Sequence, residues 1–378
     1  MACALRGKGD HEAPEGVRPR RKKRTRRRDR ARRTARISMQ EKLRLLQAFY
    51  RRAGYRPWRM SKFENYELYA DKKDFLLSDR IITFTDTDGS LLALKPDVTL
   101  SIVQSVPCAP GETQKLWYQE SVYRPAGSEG RFREITQCGL ECLGALTPAD
   151  LGEVLGLASV SLRTLSPTSL LCVSHLGLLD ALLAELGAED RAREAVEGLT
   201  AARNAHELTA LFRDRGWPEP RLRELRGLLD LSCPLSGLPE RLRGLSWVPA
   251  PLLKELEDLP AVPDAVFDFS ITGNLNYYNG LVFQGFVNGV SERVLTGGQY
   301  DRLLRRMRRR ESAVGFAVYL DALPEPTEME SDVVLLCDSG TDPELLLETV
   351  LRLQAEGKSV AVQSAAEAVD LRGGKRAC

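Results

Sequence analysis

Residues 115–143, KLWYQESVYRPAGSEGRFREITQCGLECL, hold two strand-like runs around a polar, Gly-containing loop. One strand is expected near Lys115–Arg124, the loop over 125–132, and a return strand near Arg133–Leu143. A strand points alternate side chains to opposite faces, so Ile135, Gln137, Gly139, Glu141 and Leu143 share one face. A face that carries both Gln137 and Glu141 is not cleanly apolar. It either meets water or lines a polar pocket.

Working outward, two more hairpins emerge. Ile81 to Thr85 lead into Asp88-Gly89, and Leu91 to Leu94 lead away. Later, Tyr277 to Val287 run into the turn Asn288-Gly289 and continue from Val290 to Leu295. Three hairpins spread along the chain predict an α+β fold, a large antiparallel sheet with helices laid on it. Ser38 and Glu41 open an N-terminal helix as a capping box, and Leu43, Leu46 and Ala53 recur at helical spacing up to Gly54. The leucine-rich stretch of about 150–255, punctuated by prolines, reads as a helical insertion. After residue 325 a short C-terminal unit reads as βαβ: strands at Val333–Leu336 and Val360–Val362 around a helix at Leu345–Gln354. The expected domains are therefore a basic extension over 1–37, a main domain over 38–325 with its insertion, and the short unit over 326–378.

Composition sets the bounds. The chain has 378 residues, 43% hydrophobic and 28% charged, as an ordinary globular protein has. No apolar run reaches the roughly 18 residues of a membrane span, and the N-terminus lacks the apolar core of a secretory signal. Eight cysteines occur without a CxxC pair, beside three histidines, so no metal site is expected and a reducing cytoplasm is the expected location. His175 and His206 lack partners at ligand spacing and read as structural. The net charge of +2 conceals an asymmetry: residues 18–36 carry +12, leaving −10 on the other 359. Such a self-repelling run is expected to be disordered. It reads as a phosphate-binding arm, as a solvated tail, or as a wrongly extended start with Met39 as the true one.

Several short segments could carry chemistry. They are Leu94-Lys95-Pro96-Asp97-Val98-Thr99, Val122-Tyr123-Arg124, Gly130 through Gln137, Gly139-Leu140-Glu141, Leu275-Asn276-Tyr277-Tyr278-Asn279-Gly280, and Gly297-Gly298-Gln299-Tyr300-Asp301. Singly, each reads as a turn, a rim aromatic pair or a backbone-approach glycine. Together and in this order, over about residues 40–323, they resemble the histidyl-tRNA synthetase fold of class II aminoacyl-tRNA synthetases. The resemblance implies histidine contacts at Asp97, Thr99, Arg124, Gln137, Glu141, Tyr277 and Tyr278. Asp97 (where the family has glutamate), Thr99 and Gln137 would take the α-ammonium and Arg124 the carboxylate. Glu141 and the tyrosines would take the imidazole.

The resemblance breaks at the arginines that handle ATP. The family's closing Gly-x-Glu-Arg-Leu falls on Tyr319-Leu320-Asp321-Ala322-Leu323, with Tyr319 for the glycine and Ala322 for the arginine. A second arginine falls on Gly273. The loop after Arg124 is one residue short, and Ala126 stands where a glutamate is usual. Losing one preorganised donor costs about two to three orders of magnitude in rate, so two lost cations imply a chain without adenylation activity.

A synthetase-like fold that keeps histidine contacts and lacks catalytic arginines is similar to the ATP phosphoribosyltransferase regulatory-subunit subfamily, a non-catalytic branch. Ser61-Lys62-Phe63-Glu64, Ser78 through Gly89, and Val294 through Asp301 are closer to that branch than to synthetases. So is a C-terminal unit shorter than the anticodon-binding domain of about a hundred residues. The likeness implies four things: a short-form ATP phosphoribosyltransferase catalytic subunit as partner, self-association as a dimer within a hetero-oligomer, histidine as feedback effector, and no cofactor. Two alternatives stand beside it. A working histidyl-tRNA synthetase predicts ATP–pyrophosphate exchange. A nucleic-acid-binding pseudoenzyme predicts salt-dependent affinity that deleting residues 1–37 abolishes.

Overall fold

Alternation in the long hairpin of residues 113–144 sorts its side chains into two layers, and the rest of the fold is built on both sides of it. The computed structural model describes residues 38–70, 80–126, 130–272, 277–323, 331–338 and 340–364. The basic run of 1–37, together with Ser78, Asp79, Gly273 and Asn276, lies outside the described residues. In chain order the elements are α1 (Met39–Arg52), β1 (Arg56–Pro57), β2 (Phe63–Asn65), α2 (Glu67–Ala70), β3 (Thr83–Thr85), β4 (Leu91–Leu94) and α3 (Val98–Ser105). Then come β5 (Thr113–Ala126), β6 (Arg131–Gly144), α4 (Pro148–Leu165), β7 (Ser169–His175), α5 (Leu176–Glu185), α6 (Asp190–Ala201), α7 (Ala205–Asp214) and α8 (Glu219–Asp230). After them lie β8 (Cys233–Pro234), α9 (Leu238–Leu242), α10 (Ala250–Asp258), β9 (Ala265–Phe267), β10 (Leu281–Val287), β11 (Leu295–Gln299), α11 (Asp301–Arg306) and β12 (Ser312–Tyr319). The chain closes with β13 (Val333–Cys337), α12 (Pro343–Ala355) and β14 (Val360–Ser364).

Nine strands form the main sheet in the order β1-β5-β6-β12-β11-β10-β7-β9-β8. Its pairs are antiparallel except β1 with β5 and β7 with β9. On β6 the residues Cys138, Leu140 and Cys142 face one layer. There they pack with Leu151, Val154, Leu155, Ala158 and Leu162 of α4, whose spacing of three and four puts them on one helical stripe. On the other face Leu116, Tyr118, Val122 and Leu143 meet Leu100, Ile102 and Val103 of α3, and Leu303 and Leu304 of α11. The face read from the sequence as water or pocket is this second face, and both Gln137 and Glu141 on it are buried.

Three expectations change in detail. The Asp88-Gly89 hairpin forms, with Gly89 in the left-handed region at φ 88°, but β3 and β4 pair with β2 in a separate three-stranded sheet. A strand pair needs hydrogen-bonding partners, not merely β-rich sequence, and Ile81 and Ile82 stay outside any strand. The leucine-rich stretch is not helical throughout: β7 runs through it and joins the main sheet beside β10. Its run of Leu170, Leu171, Cys172 and Val173 is too short to be told from a helix by periodicity. The third hairpin turns more widely than Asn288-Gly289, because β11 begins only at Leu295.

The chain divides into two compact units, residues 1–323 and 324–378. In the second, β13 and β14 pair in parallel around α12, the βαβ pattern read from the sequence. Among the described residues no helix is long and apolar enough to cross a membrane.

Candidate functional site

The seven predicted residues come from four separate segments, and all of them line one cavity of about 520 Å³. That volume is within the range of small-molecule sites, roughly 300–1,000 Å³. The sheet leaves this space because its floor lacks bulk. Gly139 and Ala317 are register partners on β6 and β12, as are Glu141 and Gly315.

Glu141 sits at the centre. A Cβ on Gly315 would lie 1.7 Å from Glu141 Oε2, so only glycine admits the carboxyl there. Thr99 Oγ1 donates to Oε1 at 2.6 Å, and the Tyr300 hydroxyl donates to Oε2 at 2.6 Å. Burial nevertheless pushes the Glu141 pKa up to about 8, against the opposing pull of those two hydroxyls. Near neutrality Glu141 is therefore mainly a neutral acid, able to give a proton or to share one.

Thr99 is aimed at Glu141 by a local device. Lys95 is fully buried and donates to Glu120 Oε2 on β5 at 2.7 Å, which pins the turn after β4. Asp97 then caps α3: its backbone is extended at φ −148° and Oδ1 accepts from Leu100 N at 2.8 Å. Aspartate is a strong cap and the family's glutamate is not, so the shorter side chain serves the helix start. Asp97 also lines the cavity. Burial raises the Asp97 pKa, and the capping bond and the nearby Arg124 charge pull it back.

Arg124, near the end of β5, is 8% exposed. Its guanidinium carbon lies 5.8 Å from the centre of the Tyr319 ring, and it forms no ion pair with a described carboxylate. Its charge acts on Asp97 without a direct ion pair, and no described carboxylate occupies its fork, which can therefore take an anion supplied from outside. The Gln137 side chain makes no hydrogen bond to a described residue, and its amide is left for the cavity. Tyr277 and Tyr278 pack edge to face at 4.8 Å, and Tyr277 tilts against Tyr300 at 5.9 Å. Both precede β10 rather than open it. Burial holds their hydroxyls, and that of Tyr300, protonated.

Sequence reasoning missed Tyr118, Tyr300 and Arg293 as lining residues. Nothing local in the sequence signals that Tyr300 bonds to a residue 159 positions away. At the far end, the Tyr319 hydroxyl lies 2.8 Å from Thr296 Oγ1, and Ala322 packs against the hydrophobic core. Gly273 and the side chain of Ala126 lie outside the described residues.

This arrangement offers one buried cation, one neutral carboxyl, a second carboxylate and several neutral hydroxyls. It suits a small zwitterion bearing a polar ring. The family model for histidyl-tRNA synthetase matches residues 28–323. The ATP phosphoribosyltransferase regulatory subunit of Thermus thermophilus is 31% identical over 305 residues, covering 78% of this chain and 81% of that protein. In fold, the chain is similar to an ATP phosphoribosyltransferase regulatory subunit/histidyl-tRNA synthetase from Bacillus halodurans. The TM-score is 0.63 at 23% identity, covering 95% of this chain and 94% of that one. It is also similar to a chain of the ATP phosphoribosyl transferase complex of Thermotoga maritima. There the TM-score is 0.56 at 21% identity, covering 74% of this chain and 96% of that one.

Proposed function

Because the chain belongs to the histidyl-tRNA synthetase family, and within it to the ATP phosphoribosyltransferase regulatory subunits, we propose that it is a histidine sensor. It activates a short-form ATP phosphoribosyltransferase catalytic subunit in the cytoplasm and helps carry feedback inhibition by histidine. It works as a dimer of the synthetase-like core inside a hetero-oligomer, and it is not itself a catalyst.

One observation supports this reading above the others. The seven residues line one cavity together with Tyr319, while Ala322, in place of an arginine, packs on the hydrophobic core. In the bound state Arg124 takes the α-carboxylate. Asp97, Gln137 and the remaining lone pairs of Thr99 take the α-ammonium. The imidazole nitrogens meet Glu141 and the tyrosine hydroxyls. Feedback follows only if histidine binds the active and inactive assemblies with different affinity, because a ligand shifts an equilibrium by no more than that difference.

Calorimetry with free histidine, together with a transferase assay in which the catalytic subunit is titrated with this chain, tests the reading. Saturable histidine binding and activation are expected, with no histidine-dependent ATP–pyrophosphate exchange. Full transferase activity without this chain overturns it.

A further inference from the structure

The cavity wall formed by residues 268–272 is tied to the helices of the insertion by the hydrogen bonds of Arg203, beside the packing of Phe269 in their shared core. Arg203 Nη2 donates to Asp268 Oδ1 at 2.5 Å, Nε to Ser270 Oγ at 3.1 Å, and Nη1 to the Leu229 carbonyl at 2.6 Å. Leu229 lies in the last turn of α8, where carbonyls lack helical partners. Asp268 and Ser270 close a tight turn, with Ser270 N and Oγ both donating to Asp268 Oδ1 at 3.0 and 2.7 Å. From that turn Asp268, Ser270, Ile271 and Thr272 face the cavity, and so does Ala201 at the end of α6.

The backbone at Arg203 marks the position as unusual. Arg203 N bonds to Thr200 O at 3.0 Å and Asn204 N to Leu199 O at 2.9 Å, the pair of bonds that closes a helix through a left-handed residue. Helices α1, α5 and α7 end the same way through Gly54, Gly187 and Gly216, with φ of 86°, 60° and 65°. At Arg203 the same turn is made at φ 51° by a residue with a Cβ, which costs about 1–2 kcal/mol. Arg308 ends α11 likewise at φ 59°, but it is exposed and has no partner among the described residues. Among the described residues, Arg203 is the left-handed arginine that bonds to a cavity wall.

We propose that Arg203 is the positioning residue through which α6 and α8 hold the wall at 268–272, so that an amino acid filling the cavity is felt at the ends of those two helices. The inference rests on the reading of the cavity as a histidine site. Filling the cavity loads the wall, and the guanidinium passes that load to the Leu229 carbonyl and to the end of α6. The insertion, which contributes little else to the cavity, thereby becomes its output.

Arg203→Gly is the informative variant because glycine keeps, and relaxes, the left-handed turn. It is expected to unfold cooperatively near the wild-type temperature while binding histidine roughly fivefold or more weakly, within the range of coupling through packed networks. Hydrogen exchange supplies the second readout. Histidine should slow amide exchange at 201–204 and 228–231 in the wild type but not in the variant, while slowing at 137–143 persists in both. Arg203→Lys, which keeps the charge and loses the fork, should be intermediate. Asp268→Asn should reproduce the loss if Arg203→Gly fails to fold. Wild-type affinity and protection in these variants overturn the inference alone. A wild-type protein that does not bind histidine overturns the reading beneath it, and the inference with it.

Discussion

The two ends of the cavity hang on the same sheet and differ in their polar groups. At the β6–α3 end Thr99, Gln137 and Glu141 are buried, with Glu141 held at 2.6 Å by both Thr99 and Tyr300. At the end of β12 stand an aromatic ring stacked on Arg124 and an alanine packed on the core. Recognition of an amino acid needs a fixed network of donors and acceptors. Handling a triphosphate needs preorganised positive charge. The two demands fall on different elements, so one can be lost while the other keeps its geometry. Ala322, in place of an arginine, packs on the core, and Tyr319, in place of a glycine, fills space with a ring whose hydroxyl is bonded to Thr296.

The sharpest way to break this comparison is at Arg124, the cation shared by both ends. Arg124→Ala should raise the histidine Kd by about a hundredfold or more, since truncating one side of a buried charge pair costs about 2–5 kcal/mol. Calorimetry that finds unchanged affinity would place the ligand elsewhere. The opposite end is probed by Ala322→Arg. Its side chain enters a packed margin of the core, so a stability loss of about 1–3 kcal/mol is expected in urea titration. Neither Ala322→Arg nor Tyr319→Gly combined with it should produce measurable pyrophosphate exchange. Exchange in the double variant would mean that charge alone separates the two ends.

These arguments show how far the sequence could be read. Alternation along 135–143 placed Gln137 and Glu141 on one face, and the family resemblance carried by the short segments named seven residues that line one cavity. Both signals are local or linear. The role of Tyr300 was not legible, because its hydrogen bond depends on how α11 is laid against β6. Arg203 was equally hidden. It occupies a position where glycine is the ordinary residue, inside a stretch that reads as plain helix. The sheet membership of β7 was lost for a different reason: a short apolar run looks the same in a strand and in a buried helix.

The subtlest test concerns the proton at Glu141. In the proposed histidine complex the imidazole and the carboxyl share one proton. Between the imidazole pKa of about 6.5 and the Glu141 pKa of about 8, the separated partners already carry one proton, on Glu141, so binding moves none. Below about 6.5 the free ligand carries a second proton that must leave. Above about 8 the free site has lost its proton and one must be taken up. Affinity should therefore be highest between these limits and fall about tenfold per pH unit beyond each. Glu141→Gln should flatten the alkaline limb that belongs to the protein, leaving only the limb due to the ligand's own amine. Thr99→Val sharpens the assignment. The Thr99 hydroxyl favours the ionised carboxyl, so its removal should move the alkaline limb to higher pH, with a loss of affinity at pH 7 worth about 1 kcal/mol. A limb that stays in place in both variants would assign the titrating proton to another group and leave Glu141 as a spectator in the cavity floor.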